Sequence, residues 1–186
     1  NVVVQMTPVS PTEVSLPVST LTFTSANWSQ PQSVSVVGVD DNVADGDLIT
    51  SINIAVGSGS AAPYRLTPSG SINVRTLDNE VAALVITQSG GTTIVSESGS
   101  TDTFAVKLMS APVGPVTVNL FSSDASESRV SPLVLLFTTG NWNVPQTVIV
   151  TGLDDYDVDG DIDSIVTMFF ATSSSGTYRT AASQFV

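Results

Sequence analysis

The chain has 186 residues, 41% of them hydrophobic, so a sizeable core can form in one or two domains. Its formal net charge of -12 argues against nucleic acid or an anionic membrane as a partner, since both need a basic face. His and Cys are absent, which excludes zinc sites, iron–sulfur clusters, thiol chemistry and histidine-based catalysis.

Apolar residues alternate with polar ones along the chain, which predicts β-strands rather than helices. The first strand contains Val2, Val4 and Met6. Further strands are predicted around Leu21 and Phe23, and over residues 32–36, 52–56, 72–77, 83–87 and 104–108. Proline and glycine interrupt them at short intervals, and no apolar run is long enough to cross a membrane.

An internal repeat organises this pattern. Aligned at an offset of 114 without gaps, residues 21–47 match residues 135–161 at fifteen of twenty-seven positions. The same register pairs Tyr64-Arg65 with Tyr178-Arg179, and Glu13 with Glu127. A repeat of this length indicates two copies of one module.

The repeat and the strand pattern predict an all-β fold of tandem Greek-key, immunoglobulin-like sandwiches with about seven strands each. We predict module 1 over 1–80 and module 2 over 81–186. Module 1 then lacks the counterpart of 81–114, and module 2 lacks the counterpart of 73–80. Either the chain is a segment of a longer array of such modules, or a neighbouring subunit completes module 1 by strand addition.

Two acidic loops, residues 39–47 and 153–161, recur at this offset. With Asp163 they hold ten of the seventeen acidic residues and no basic one. Two like charges ~5 Å apart cost roughly 0.8 kcal/mol even in bulk water, so a bound cation would stabilise such a loop. Oxygen ligands favour Ca²⁺ over Mg²⁺, which prefers one or two carboxylates and keeps its waters. The alternative is a solvated acidic turn.

The second loop also matches the first half of an EF-hand, with Asp155, Asp157 and Asp159 followed by Gly160. The twelfth position, however, is Val166 instead of the bidentate Glu, and strands rather than helices flank the loop. We therefore reject an EF-hand and keep only its chemistry, which is closely spaced oxygens around a glycine turn.

The string Leu-x-Phe-Thr, then Asn-Trp-x-x-Pro-Gln-x-Val-x-Val-x-Gly-x-Asp-Asp, resembles tandem Calx-β repeats of very large bacterial surface and secreted proteins. The acidic cluster Asp78-Asn79-Glu80 and the segment Val95-Ser96-Glu97-Ser98-Gly99 are also similar to that family, the latter with a one-residue shift from Val-x-Glu-x-x-Gly. The resemblance implies seven-stranded sandwiches that bind Ca²⁺ at one pole, near the joint to the next module.

It also implies two ligand sets. The set of module 1 is Asp40, Asp41, Asp45, Asp47 and Asp78, with Glu80. The set of module 2 is Glu97, Asp124, Asp154, Asp155, Asp157, and Asp159 or Asp161. Module 1 has no counterpart of Glu97 and carries Ser10 in place of Asp124, so we expect it to bind Ca²⁺ more weakly or to share ligands with module 2.

We expect an extracellular or cell-surface structural repeat of a Ca²⁺-stiffened stalk, adhesin or filament, whose partners are adjacent modules of the same or a neighbouring chain. The alternative is a glycan-binding accessory module of a larger secreted protein. Trp28 and Trp142 are predicted to plug the sandwich ends, although an exposed tryptophan also suits a carbohydrate platform. Catalysis is not expected, since the paired Asp residues lie on one loop and not across a cleft.

Overall fold

The structure, a computed structural model, describes residues 1–155, 158 and 160–186. The predicted all-β fold is confirmed, since the described part contains fourteen strands and, apart from them, only three 3-10 helices of at most five residues. No helix there is long and apolar enough to cross a membrane. The chain divides into unit 1, residues 1–41 and 47–78, and unit 2, residues 42–46 and 79–186.

Unit 1 contains one four-stranded antiparallel sheet, in the order β3-β1-β5-β6, and the separate pair β2-β4. The strands are β1 Val2–Pro8, β2 Val14–Ser15, β3 Thr20–Phe23, β4 Val37–Gly38, β5 Leu48–Val56 and β6 Gly70–Thr76, with a 3-10 helix at Ala62–Tyr64. Its buried apolar cluster consists of Met6, Val14 and Ile52. The other apolar side chains on the strands of unit 1 are exposed or only partly buried.

Unit 2 contains two four-stranded antiparallel sheets, in the orders β10-β12-β8-β7 and β11-β9-β13-β14. The strands are β7 Leu84–Gln88, β8 Thr101–Leu108, β9 Val116–Ser122, β10 Ser128–Ser131, β11 Val134–Phe137, β12 Gln146–Gly152, β13 Val166–Phe170 and β14 Gln184–Phe185. Short 3-10 helices lie at Ser89–Gly91 and Gly176–Thr180. These eight strands of the described part compare with about seven predicted.

The two sheets of unit 2 share one core. Alternation places Phe104, Val106 and Leu108 of β8 on the buried face, and Val116 and Val118 of β9 do the same from the other sheet. Strands with one apolar face bury it against a second sheet, which gives a sandwich-like unit.

The predicted strand over residues 32–36 does not form in unit 1, where β4 covers only Val37–Gly38. Its counterpart in unit 2 is the full strand Gln146–Gly152, which pairs with β10 on one side and β8 on the other. In unit 1, β4 pairs with β2 alone among the described strands. The alternating sequence therefore forms a long strand only where a second neighbour supplies hydrogen bonds.

Residues 42–46 group with unit 2, although the sequence on both sides of them belongs to unit 1. Ala44 is 1% exposed and joins the unit 2 core. Its amide donates to the Ala111 carbonyl at 2.9 Å, and the Thr177 hydroxyl donates to its carbonyl at 2.6 Å. The centre of this acidic loop is thus packed and hydrogen-bonded.

Candidate metal centre

Each acidic loop lies downstream of a turn that is built around one asparagine. The Asn27 side-chain carbonyl accepts a hydrogen bond from the Thr24 amide at 2.6 Å. The Asn141 carbonyl accepts the same bond from the Thr138 amide, also at 2.6 Å. The repeated Thr-x-x-Asn sequence therefore forms the same local structure in both units.

Each loop also begins on the same backbone hydrogen bond. The Val39 amide donates to the Glu13 carbonyl at 2.9 Å, and the Leu153 amide donates to the Glu127 carbonyl at 2.9 Å. The residues that follow, Asp-Asp in both repeats, consequently leave the strand at equivalent points. The sequence repeat corresponds here to a structural repeat.

In unit 1 the structure brings Asp47 and Asp78 together. One Asp47 carboxylate oxygen accepts from the Asp78 amide at 3.0 Å, and the other pairs with the Arg75 guanidinium at 2.5 Å. Asp40 and Asp41 of the same unit are exposed. Arg75 thus pairs with one of the four carboxylates of this loop.

The remaining members of the first predicted set, Asp45 and Glu80, group with unit 2. Both are partly buried. The Asp45 amide donates to the Val43 carbonyl at 2.9 Å. The first ligand set is thus divided between the two units.

In unit 2, Glu97 and Asp161 of the second set line one cleft together with Glu127 and Asp163. Glu127 and Asp163 are not members of either predicted ligand set. The pairing of Glu13 with Glu127 at the repeat offset was a signal for the first of them, and the continuation of the acidic run was a signal for the second. These four acidic residues give the lining of the cleft a negative formal charge.

Asp124 lies in a tight turn. Its carboxylate accepts from the Ser126 hydroxyl at 2.5 Å and from the Ser126 amide at 3.0 Å. These hydrogen bonds stabilise the ionised form and hold the pKa of Asp124 below its ordinary value. The side chain therefore has a local structural role that does not require metal.

Asp102, the second residue of β8, has a similar structural role and holds the connection between β7 and β8. It accepts from the Ser89 hydroxyl, from the Ile94 amide at 2.9 Å and from the Thr103 amide at 2.6 Å. The pKa of Asp102 is lowered, chiefly by the Ser89 hydrogen bond. Asp102 thus fixes this connection.

Asp154 is exposed and Asp155 is half-buried at the start of the second loop. Two other predicted ligands, Asp157 and Asp159, lie outside the described residues. Within residues 1–155, 158 and 160–186, no three acidic side chains come together closely enough to hold a metal ion. The donor chemistry, which is oxygen only, is of the kind that Ca²⁺ takes.

Fold and loops together define a class, an all-β protein of tandem repeats in which each repeat carries an acidic loop. Comparisons with models of known protein families and with curated proteins found no match.

Proposed function

We propose that the chain is an extracellular structural repeat of a stalk, adhesin or filament, stiffened by Ca²⁺ and completed by strand addition from a neighbouring subunit. The observation that carries this proposal is the repeated framework, in which the same turn and the same strand exit precede an acidic loop twice. Repetition of a scaffold suits a mechanical role, because a single active site needs no second copy.

The charge distribution supports Ca²⁺ as the stabilising ion. The two acidic loops and Asp163 carry ten acidic residues without a basic one, and Glu97, Glu127, Asp161 and Asp163 line one cleft. Extracellular modules typically bind Ca²⁺ with a Kd of ~10⁻⁴–10⁻³ M, so the ion would be bound in calcium-rich media and released in a chelator. When bound, the ion would screen carboxylate repulsion at the loop.

Thermal melts test this role. At ~10 mM Ca²⁺ and the affinities above, binding to the folded state alone adds about 1.4–2.7 kcal/mol to the free energy of unfolding. For a chain of this size that raises the Tm by about 3–10 °C over a sample in chelator. Mg²⁺ at equal ionic strength should raise it much less, and equal melting temperatures in all three media would contradict the proposal.

A matched pair of double variants identifies which of the two acidic loops binds Ca²⁺. Asp154→Asn with Asp155→Asn should remove most of the Ca²⁺-dependent rise in Tm. Asp40→Asn with Asp41→Asn should remove less, because Arg75 already pairs with Asp47 in that unit. Identical responses of the two double variants would contradict this ranking.

One observation favours the second candidate function, glycan binding. Trp28 is 71% exposed, so the plug predicted for it does not form in unit 1, and a flat aromatic face is available for a sugar ring. Titration with mixed oligosaccharides while Trp28 fluorescence is followed tests this. A saturable signal that Trp28→Ala abolishes would favour the glycan-binding module over the structural repeat.

A further inference from the structure

The sheet β11-β9-β13-β14 of unit 2 is apolar on its outer side as well as on its inner side. Its inner side supplies Val116, Val118 and Met168 to the core, so the residues that alternate with these point outward. Five outward residues are large, apolar and 39–73% exposed, and together they form what we call the apolar face: Phe121, Val134, Leu136, Phe169 and Phe185.

The register of the strands brings these side chains together. Residues directly opposite each other on antiparallel strands lie on the same side of a sheet. Asn119 of β9 lies opposite Val134 on one side and opposite Phe169 on the other. Phe121 and Phe185 lie opposite the same residue of β13, and the Phe121 and Phe169 rings are in edge-on contact with centroids 6.1 Å apart. The apolar face is therefore one continuous surface across four strands.

Unit 1 carries small or polar residues at the equivalent positions. Its sheet β3-β1-β5-β6 has the same strand order, and the repeat offset of 114 relates the two sheets residue by residue. The counterparts of the apolar face, in the same order, are Thr7, Thr20, Thr22, Ala55 and Ser71, and all are exposed. A sheet with one solvated side usually has such residues there, so the fold itself does not require the five large apolar residues of unit 2.

The other sheet of unit 2 gives a second comparison. Its outward residues include the cations Lys107 and Arg129, which alternate with buried residues of β8 and β10. On β12, the exposed Ile149 lies between the outward residues Thr147 and Thr151. Polar and charged side chains thus separate the apolar ones on that surface. The concentration of large apolar residues distinguishes one outer side of unit 2 from the other.

The charge of the chain limits the partner that fits the apolar face. None of its five residues is charged, and neither are Thr117, Asn119 and Thr167, which lie among them on the same side of the sheet. A basic partner would be attracted to the acidic loops instead. Because the chain has a net charge of -12, two copies repel each other where their acidic surfaces meet. An uncharged face is where a second copy can approach with the least repulsion.

The size of the face also fits a second copy. An aromatic side chain presents about 150–250 Å², so five large residues at these exposures leave on the order of 500 Å² accessible. The largest apolar patch on a typical monomer is about 300–600 Å². Two such faces packed together would bury roughly 1,000 Å², which is about the lower limit for a specific interface.

We propose that two copies of the chain pair through the apolar face, sheet against sheet, with Phe121 and Phe169 of each copy at the centre of the contact. Sheets pack in this way about 10 Å apart, with their side chains interdigitated. Because both copies use the same surface, the arrangement is two-fold and closes as a dimer. This pairing goes beyond the proposed function, since it needs neither Ca²⁺ nor strand addition.

Sedimentation equilibrium of the full chain in a buffer with chelator measures the pairing. The average mass should rise from 19.2 kDa towards twice that value as the concentration increases. The rise should fall between about 1 μM and about 1 mM, because an interface near the lower size limit associates weakly. A mass that stays at 19.2 kDa throughout this range would overturn the inference.

Unit 1 supplies the residues for a matched variant. Phe121→Thr with Phe169→Ala introduces the counterparts Thr7 and Ala55, and it should weaken dimerisation at least tenfold because it removes the central pair of rings. Ile149→Ser, on the outer side of the other sheet, should leave dimerisation unchanged. If both variants weaken the dimer equally, the pairing does not use the apolar face.

Chemical linking gives a measurement that does not depend on removing the rings. The chain has no cysteine, so an introduced thiol is the only one present. Asn119→Cys, within the apolar face, should give a covalent dimer with a short bismaleimide, whereas the more exposed Thr147→Cys should give much less. Equal linking of the two variants would contradict the proposal. So would a monomeric chain that binds oligosaccharides through Phe121, since the face would then be a glycan site.

Since chelator is present throughout, these results are independent of the calcium melts, which test the proposed Ca²⁺ role separately.

Discussion

Units 1 and 2 have closely similar sequences over the repeated strands, yet side chains such as Val150 and Tyr178 are buried in unit 2 while their counterparts Val36 and Tyr64 are exposed in unit 1. The core that the two sheets of unit 2 share contains seventeen buried apolar residues of the described part, whereas the apolar cluster of unit 1 contains three. The turn at Asn27 and the turn at Asn141 nevertheless have the same hydrogen bonds. Local sequence thus determines the turns, while burial depends on which strands are adjacent.

The largest expected difference between the units concerns the repeated tyrosines. Tyr178→Ala removes a fully buried ring that packs edge-on against Phe170, with centroids 5.3 Å apart, and leaves the Ser110 backbone without its hydroxyl partner. We expect a loss of about 3–5 kcal/mol in the free energy of unfolding by chemical denaturation. Tyr64→Ala should cost less than about 0.5 kcal/mol because that ring is half-exposed. Similar losses for the two variants would show that Tyr64 is covered in solution.

The glycines give a smaller effect. Gly152→Ala forces the Ser96 backbone away from β12, and overpacking of this kind costs about 1–3 kcal/mol. Gly38→Ala should stay within about 0.5 kcal/mol of the native chain. Denaturant midpoints of the two variants measure the contrast directly. Equal destabilisation would mean that a chain segment already covers Gly38.

Sequence patterns predicted the part of the fold that depends on neighbouring residues along the chain. Alternation identified strands such as β8, and the Thr-x-x-Asn repeat marked equivalent turns. The strand predicted over residues 32–36 was wrong because a strand also needs hydrogen-bonding neighbours, which single-strand periodicity does not specify.

The candidate site was less predictable for the same reason. The acidic sequence of residues 39–47 predicted a solvated or metal-bound loop. Ala44 at its centre is instead buried, and it forms hydrogen bonds with Ala111 and Thr177, which are far away in sequence. Glu127 and Asp163 reach the cleft with Glu97 only through the pairing of strands. No spacing rule along the chain encodes such an arrangement.

The smallest expected effect concerns acid pH and compares Asp124 with Ser10, its counterpart in unit 1. The hydrogen bonds from Ser126 lower the pKa of Asp124 in the folded state, so its contribution to stability is present above the unfolded pKa. That contribution is lost as the pH falls from about 4 through the lower, folded pKa.

Asp124→Asn cannot titrate, so its Tm should fall less between pH 6 and pH 3 than the native Tm does. Ser126→Ala, which removes the hydroxyl donor, should shift the profile in the same direction but by less, because the Ser126 amide remains as a donor. If the Tm of the native chain and the Tm of Asp124→Asn fall by the same amount between pH 6 and pH 3, then Asp124 does not make unit 2 more sensitive to acid than unit 1.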